Sequence, residues 1–205
     1  VSVERVYVHE KVYDEFVAGF GERTTDLVVG APLDESTQLG PMISEGQRQV
    51  SLDYLGIAAQ EGATQVCGGD VTGPGWYLSP SVLTGVDNDM RVAQEEIFGP
   101  VAAMIPFDTE DEAIQLANAS PYGLSGTVWT GNLGRAVRVT RAIRTGVISV
   151  NSGHLPAIVR RLRPADLDTY MAASAWRTRS SVSVTSVEGK LTAPTLTVTR
   201  SSWRM

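Results

Sequence analysis

Two neighbouring carboxylates and an aromatic ring form the clearest candidate for chemistry in this chain. Residues 94 to 101 are Gln-Glu-Glu-Ile-Phe-Gly-Pro-Val, so Glu95, Glu96 and Phe98 lie within one short stretch that ends in a Gly-Pro turn. Carboxylates can accept hydrogen bonds from hydroxyl groups or transfer protons. The same residues also suit a solvated helix end followed by a hydrophobic anchor before a turn. The stretch alone therefore leaves a ligand site and an ordinary turn both open.

Other groups that could do chemistry are isolated in the sequence. Cys67 is the single cysteine, and it lies between a short β-rich run and Gly68-Gly69. A catalytic thiol needs a partner that lowers its pKa, and no local residue offers one, so we interpret Cys67 as a structural thiol. His9 and His154 are far apart and lack clustered Cys or Asp partners. We therefore predict no dedicated metal site.

Helical and β-rich segments alternate along the chain. Apolar residues recur every four positions from Val12 to Phe20, which predicts a helix over 11–28. Ser44 with Gln47, and Thr109 with Glu112, form capping boxes; Asn132 opens a fourth helix, and Gly146 is predicted to end it. The β-rich runs are 5–9, 64–67, 101–106, 126–130 and 146–150. This alternation predicts an α/β fold with a mainly parallel sheet and helices on both faces.

Several segments, taken in order, carry a resemblance to a known family. Besides the stretch around Glu96, they are Arg5-Val6-Tyr7-Val8-His9-Glu10, Gly30-Ala31-Pro32-Leu33-Asp34, Leu39-Gly40-Pro41-Met42-Ile43-Ser44, Tyr77-Leu78-Ser79-Pro80-Ser81-Val82-Leu83, Ala117-Asn118-Ala119-Ser120-Pro121-Tyr122-Gly123-Leu124 and Gly146-Val147-Ile148-Ser149-Val150-Asn151. From about Val3 to Asn151 the chain resembles the NAD(P)-dependent aldehyde dehydrogenase superfamily. The fold that this implies is an incomplete aldehyde dehydrogenase catalytic domain.

The resemblance also implies roles for individual residues. Glu96 matches the glutamate that holds the nicotinamide ribose hydroxyls of NAD or NADP, and Phe98 matches the ring that lies against the same cofactor. The family oxidises an aldehyde to a carboxylic acid through a cysteine thiolate, which is expected immediately before Val1. The resemblance therefore implies an oxidoreductase fragment that carries cofactor contacts, has no catalytic nucleophile of its own and is inactive alone. Full-length members of the family form homo-oligomers.

Charge divides the chain near the end of the resemblance. Residues 1 to 150 carry 9 Lys and Arg against 20 Asp and Glu, whereas residues 151 to 205 carry 8 against 3. The second segment also holds 15 Ser and Thr. We therefore predict a partial catalytic domain over 1–151 and a divergent basic tail over 152–205.

Two hypotheses remain open for this tail. Codons for Ile158 to Leu162 can be chosen so that reading one base further on gives Ser-Phe-Gly-Gly. The family has a similar motif at about this position. One hypothesis for the tail is therefore a shifted reading frame. Alternatively, the tail is disordered, or its alternating residues 181–199 form an isolated hairpin. We assign a low prior to a nucleic-acid-binding arm, because few aromatic residues accompany the basic ones.

The composition limits which other classes of protein the chain can belong to. The chain has ordinary globular composition, a single cysteine and no apolar run near the length of a membrane span, so a cytoplasmic protein is expected. The expected small-molecule partner is an aldehyde. The alternative function is a non-catalytic remnant or interaction module that derives from a broken gene.

Overall fold

The computed structural model of the chain describes residues 3–151, 158–159 and 181–185. Within these residues, one eight-stranded sheet has the strand order β2-β3-β4-β1-β8-β5-β6-β7. The strands are β1 Val3–His9, β2 Thr64–Cys67, β3 Ser81–Thr84, β4 Val101–Phe107, β5 Ser125–Trp129, β6 Val147–Val150, β7 Ile158–Val159 and β8 Ser181–Thr185. Neighbours pair in parallel except at the two edges, where β2 and β7 are antiparallel.

Five helices accompany this sheet in the described part of the chain. They are α1 Glu10–Thr25, α2 Glu45–Gln60, α3 Arg91–Gln94, α4 Glu110–Asn118 and α5 Leu133–Ala142. The predicted N-terminal caps are confirmed, since Ser44, Thr109 and Asn132 each accept a hydrogen bond from the backbone N–H three residues later. His9 caps α1 in the same manner, because its Nδ1 accepts from the N–H of Lys11 at 3.2 Å.

Each face of the sheet is covered by helices, as the sequence predicts. On one face, Val6, Val8, Val82 and Met104 pack against the apolar stripe of α1, which includes Phe16 and Phe20. On the other face, the sheet packs against α2, α3, α4 and α5. Tyr7 of β1 is completely buried there, and its hydroxyl donates to Asn88 Oδ1 at 2.7 Å. The predicted α/β class with a mainly parallel sheet is therefore confirmed.

Helices α4 and α5 are joined to each other at both ends. At their amino ends, the carboxylate of Glu110 lies 3.2 Å from Arg135 Nε and 2.8 Å from Arg138 Nη2. At their carboxyl ends, the Asn118 amide donates to the carbonyl of Ala142 at 3.0 Å and accepts from the N–H of Arg144 at 2.7 Å. The two helices consequently present one continuous surface to the sheet.

The end of α5 differs from the prediction. The helix ends at Ala142, and Ile143 is already extended, with φ −73° and ψ 129°. Gly146 does not have a positive φ and lies just before β6, so its assignment as the helix cap was wrong. The reason is that the buried side chain of Ile143 packs into the core, which turns the chain toward the sheet before the glycine is reached.

Strand β8 also differs from an expectation. Residues 181–199 were expected to be disordered or to form an isolated hairpin, yet Ser181–Thr185 lies inside the sheet. It pairs in parallel with β1 on one side and with β5 on the other. Without it, the facing edges of β1 and β5 would present unpaired backbone groups, which favours recruitment of any available strand. The boundary between a domain over 1–151 and a tail over 152–205 stays a prediction.

We expect the amides of β8 to be as protected from hydrogen exchange as those of β6, because β8 has a hydrogen-bonded neighbour on each side. Val182→Pro should lower the unfolding free energy by about 1–3 kcal/mol, since proline cannot donate to the ladder. Hydrogen-exchange mass spectrometry and urea denaturation measure the two effects, with Thr72→Pro in an exposed loop as the control. Exchange in Ser181–Thr185 as fast as in an unstructured peptide would contradict this pairing.

Candidate functional site

The turn formed by residues 95–100 lies at the amino-terminal edge of the parallel strands. It connects α3 to β4, and its last residue, Pro100, accepts a hydrogen bond from the N–H of Ser81 at 2.7 Å. That bond joins the start of β3 to the start of β4. The sheet therefore fixes where this turn ends, and the side chains before Pro100 lie in a defined place.

The two adjacent glutamates have different surroundings. Glu95 Oε1 accepts from Arg91 Nε at 2.9 Å, and its Oε2 accepts from Arg91 Nη2 at 2.9 Å and from the Tyr54 hydroxyl. The Arg91 guanidinium also lies 5.7 Å from the centre of the Tyr54 ring. These hydrogen bonds, led by that from Arg91, lower the pKa of Glu95 to about 2. Glu95 is therefore an ionised structural partner of Arg91.

Glu96 does not share this arrangement. Its side chain is partly buried, and its Oε1 atom is shielded from solvent. Phe98, two residues later, remains 47% exposed. A partly buried carboxylate and a half-exposed aromatic ring thus occupy the same short turn, a combination that can accept hydrogen bonds from hydroxyl groups and cover a flat ligand.

Phe98 has an unusual backbone conformation. Its φ is +54°, in the left-handed region that a bulky residue seldom adopts. Such a conformation costs about 1–2 kcal/mol and persists only where the surroundings impose it. Because its ring is half exposed, burial of that ring does not account for the strained backbone. Hydrogen bonds to the backbone of the turn contribute to holding this conformation.

Two side chains from distant elements hold that backbone. Glu4 of β1, only 6% exposed, accepts from the N–H of Ile97 at 3.3 Å and from that of Phe98 at 3.1 Å, both through Oε1. From α2, Gln47 Nε2 donates to the carbonyl oxygen of Ile97 at 2.7 Å. A hydrogen bond contributes about 0.5–1.5 kcal/mol to stability, so the two bonds to Glu4 together are comparable in size with the strain at Phe98. Burial raises the pKa of Glu4, and the N–H groups of Phe98 and Ile97 oppose that rise.

Gly99 completes the packing of the turn against α2. A methyl group on Gly99 would overlap the Ser51 hydroxyl, which itself donates to the backbone oxygen of Gln47 at 3.2 Å. Only a residue without a side chain permits this approach. The helix that carries Gln47 therefore contacts the turn twice, through an amide hydrogen bond and through close backbone packing.

The structure brings some of the predicted site residues together and separates others. Glu96 and Phe98 share one turn, as the sequence requires. Cys67 lies at the end of β2, beside the apolar side chains of α1, with its Sγ 3.8 Å from the carbonyl oxygen of Gly21. His9 caps α1 and contacts the Phe107 ring at 5.4 Å. His154 lies outside the described residues.

Glu4 and Gln47 were not predicted as parts of a site. A glutamate in the same strand as the apolar residues Val6 and Val8 was the available signal for Glu4. Gln47 was assigned to a capping box, and its backbone N–H does donate to Ser44 at 3.1 Å, but its side chain donates to the turn instead. Over the described ranges, no group of three or more potential metal ligands is found, and none of the helices there is long and apolar enough to cross a membrane.

The similarity to known proteins covers the same part of the chain as the resemblance described above. Residues 1–160 match the family described as "Aldehyde dehydrogenase family". The chain is 44% identical over 155 residues to betaine aldehyde dehydrogenase of Rhizobium johnstonii, and 43% identical over 158 residues to 2-aminomuconic 6-semialdehyde dehydrogenase of a Pseudomonas species. Each alignment covers 74% of this chain and 32% of the relative, so the chain spans about a third of the length of these relatives.

Solved structures show the same likeness in three dimensions. The crystal structure of Mycobacterium tuberculosis aldehyde dehydrogenase complexed with NAD+ is similar with a TM-score of 0.72 and 43% identity, covering 74% of this chain and 32% of that one. Betaine aldehyde dehydrogenase from Staphylococcus aureus in complex with NAD+ gives a TM-score of 0.72 and 37% identity, covering 74% and 31%. The matched family segment runs nine residues beyond Asn151, past β7.

The ion pair between Arg91 and Glu95 predicts how the stability of the fold depends on pH. A lowered pKa means that the ionised carboxylate stabilises the folded state above pH 4.5, and that this stability is lost as the pH falls toward 2. We expect Arg91→Gln to raise the pKa of Glu95 toward its ordinary value and to reduce its part in the acid dependence of unfolding. Carbon-13 NMR titration of the Glu95 carboxyl measures this, with Arg23→Gln on α1 as control. An unchanged pKa would contradict the assignment.

Proposed function

Because the chain belongs to the aldehyde dehydrogenase family, we propose that residues 1–160 form part of the catalytic domain of an enzyme that oxidises an aldehyde to a carboxylic acid with NAD+ or NADP+. In this proposal Glu96 binds the hydroxyl groups of the nicotinamide ribose, and Phe98 lies against the same cofactor. Ile97, buried between them, anchors the turn in the core.

The observation that supports this assignment most directly is the placement of the partly buried Glu96 and the half-exposed Phe98 ring in one turn. Glu95 is ionised and held by Arg91 and Tyr54, so its oxygens are already engaged. Glu96 lies in the same turn as the half-exposed ring of Phe98. The residues present therefore fit a ligand that combines hydroxyl groups with a flat ring, as the nicotinamide riboside part of the cofactor does.

The bound cofactor would supply the hydride acceptor of the reaction. The chain's own contribution is to orient that acceptor through Glu96 and to hold the Phe98 ring in place through the rigid turn. The thiolate that attacks the aldehyde is expected immediately before Val1, because the family motif has its cysteine at that position. Cys67 is not proposed for this role, because it packs beside α1 at the edge strand β2.

The substrate is proposed only as an aldehyde. Two relatives of nearly equal identity are named for different aldehydes, a betaine aldehyde and a 2-aminomuconic semialdehyde, so similarity does not choose between them. Two solved relatives contain NAD+, which supports NAD+ as a cofactor of the complete enzyme. We further propose that the complete enzyme forms a homo-oligomer, as the family resemblance implies.

We expect Glu96→Gln, placed in a full-length enzyme that contains residues 1–160, to slow hydride transfer more than it weakens cofactor binding. A neutral amide holds the ribose less firmly, and misplacement by about 1 Å can cost on the order of 100-fold in rate. Single-turnover absorbance of the reduced cofactor measures hydride transfer, and calorimetry measures binding. Glu95→Gln is the matched control and should leave both nearly unchanged. Normal hydride transfer with loss only of thioester hydrolysis would make Glu96 a base instead.

The 205-residue chain alone should not oxidise aldehydes, because its single thiol is not placed as a nucleophile. Formation of NADH or NADPH from an aldehyde and the purified chain measures this, with Cys67→Ala as the paired variant. Turnover that disappears in Cys67→Ala would refute the proposal, since loss of a nucleophile costs several orders of magnitude in rate. Without turnover, specific capture of another macromolecule would favour the alternative, a non-catalytic interaction module.

A further inference from the structure

The Glu4 carboxylate lies where an apolar side chain would cost less. It belongs to a strand whose neighbouring residues Val6 and Val8 are apolar and buried, and it is itself only 6% exposed. A buried carboxylate is unfavourable unless hydrogen bonds compensate for lost water. Here the compensation comes from the N–H groups of Ile97 and Phe98, more than ninety residues away in the chain, and from the charge of the neighbouring Arg5. The placement thus couples the start of β1 to the turn before β4.

A single oxygen atom makes both of these bonds. Glu4 Oε1 accepts from two successive backbone N–H groups, at 3.3 Å from Ile97 and 3.1 Å from Phe98. Two successive N–H groups can converge on one acceptor only when the backbone turns between them, as in the concave anion-binding turns of proteins. That bend lies in the torsions of Ile97. The bond to the Phe98 N–H also fixes the orientation of the Ile97–Phe98 peptide, and the φ of +54° at Phe98 is the rotation that directly follows this peptide. The acceptor and the strained conformation are therefore two parts of one arrangement.

We propose that Glu4 is a positioning residue, which holds Phe98 in the left-handed conformation and thereby sets the placement of the Phe98 ring and the Glu96 carboxylate. Gln47 secures the opposite side of the same peptide group, at the carbonyl of Ile97. Glu4 acts on the backbone and does not touch the cofactor. Its link to catalysis rests on the proposed function of Glu96 and Phe98, but its effect on the turn does not.

Substitutions at Glu4 distinguish the effect of side-chain length from the effect of charge. Gln retains an oxygen at the same distance from the backbone without the charge, whereas Asp retains the charge but is one methylene shorter. Leu removes the acceptor altogether. A positioning role through two N–H groups predicts that Gln resembles the wild type and that Asp and Leu both release the turn. A purely electrostatic role predicts the opposite order for Gln and Asp.

The test uses NMR on the whole 205-residue chain. The nuclear Overhauser effect between the amide and α protons of Phe98 reports the sign of its φ, because these two protons are closer at positive φ than at negative φ. Hydrogen exchange reports protection of the Ile97 and Phe98 amides. In Glu4→Asp and Glu4→Leu we expect this Overhauser effect to weaken to the level of residues with negative φ, and exchange at these two amides to rise about tenfold or more. In Glu4→Gln both should stay close to the wild type.

Controls distinguish a local effect from general loss of stability. Amides in β4, Val101–Phe107, should exchange at nearly the same rate in Glu4→Gln and in the wild type, and Glu22→Leu, at an exposed site on α1, should leave the turn unchanged. If Glu4→Leu fails to fold, the comparison of Gln with Asp still decides. An unchanged amide–α proton Overhauser effect at Phe98 in Glu4→Asp, or exchange that rises equally in β4 and the turn, would overturn the inference.

A titration with NAD+ separates this inference from the proposed function. We expect NAD+ to shift the ring signals of Phe98 in the wild type and in Glu4→Gln, and to shift them at least about tenfold less effectively in Glu4→Asp. If NAD+ shifts the Phe98 signals in none of the proteins while Asp still releases the turn, Glu4 keeps its positioning role and the cofactor assignment of Phe98 loses its support. Equal shifts in all variants would refute the link between Glu4 and the site.

Discussion

The parallel pairing of β1 with β4 is the constraint on which the rest of the described structure depends. It places Arg5 opposite Ala103, and so brings the start of β1 next to the turn that leads into β4. The side chains of Val6 and Val8 then cover one face of the sheet, while Tyr7 extends into the core on the other. Because both cores share β1, a change in its register would exchange the two faces and separate Glu4 from the turn.

Local patterns in the sequence were sufficient for most of the fold. The four-residue spacing of apolar side chains places α1, and the capping residues place the starts of α2, α4 and α5, since these signals act within one helical turn. Strand β8 was not predicted, because its pairing depends on two strands more than fifty residues away. The same limitation explains Gly146, whose expected role was displaced by the core packing of Ile143.

Some residues of the candidate site could be predicted from local sequence and others could not. A role for Glu96 and Phe98 could be predicted, because their motif is contiguous and resembles that of a family, and this role stays a prediction. Glu4 and Gln47 could not, because their function depends on hydrogen bonds across long stretches of chain. The motif also could not explain why the two glutamates differ. That distinction arises from Arg91 and Tyr54, which engage only the first of them.

The two connections between α4 and α5 differ in physical kind. At the amino ends, Glu110 faces two guanidinium groups near the surface, and at the carboxyl ends Asn118 makes neutral amide hydrogen bonds. Dissolved ions screen the first kind and barely affect the second, since the screening length falls from about 10 Å to about 3 Å between 0.1 M and 1 M salt. Rising ionic strength therefore weakens the connection at the amino ends more than the amide hydrogen bonds at the carboxyl ends.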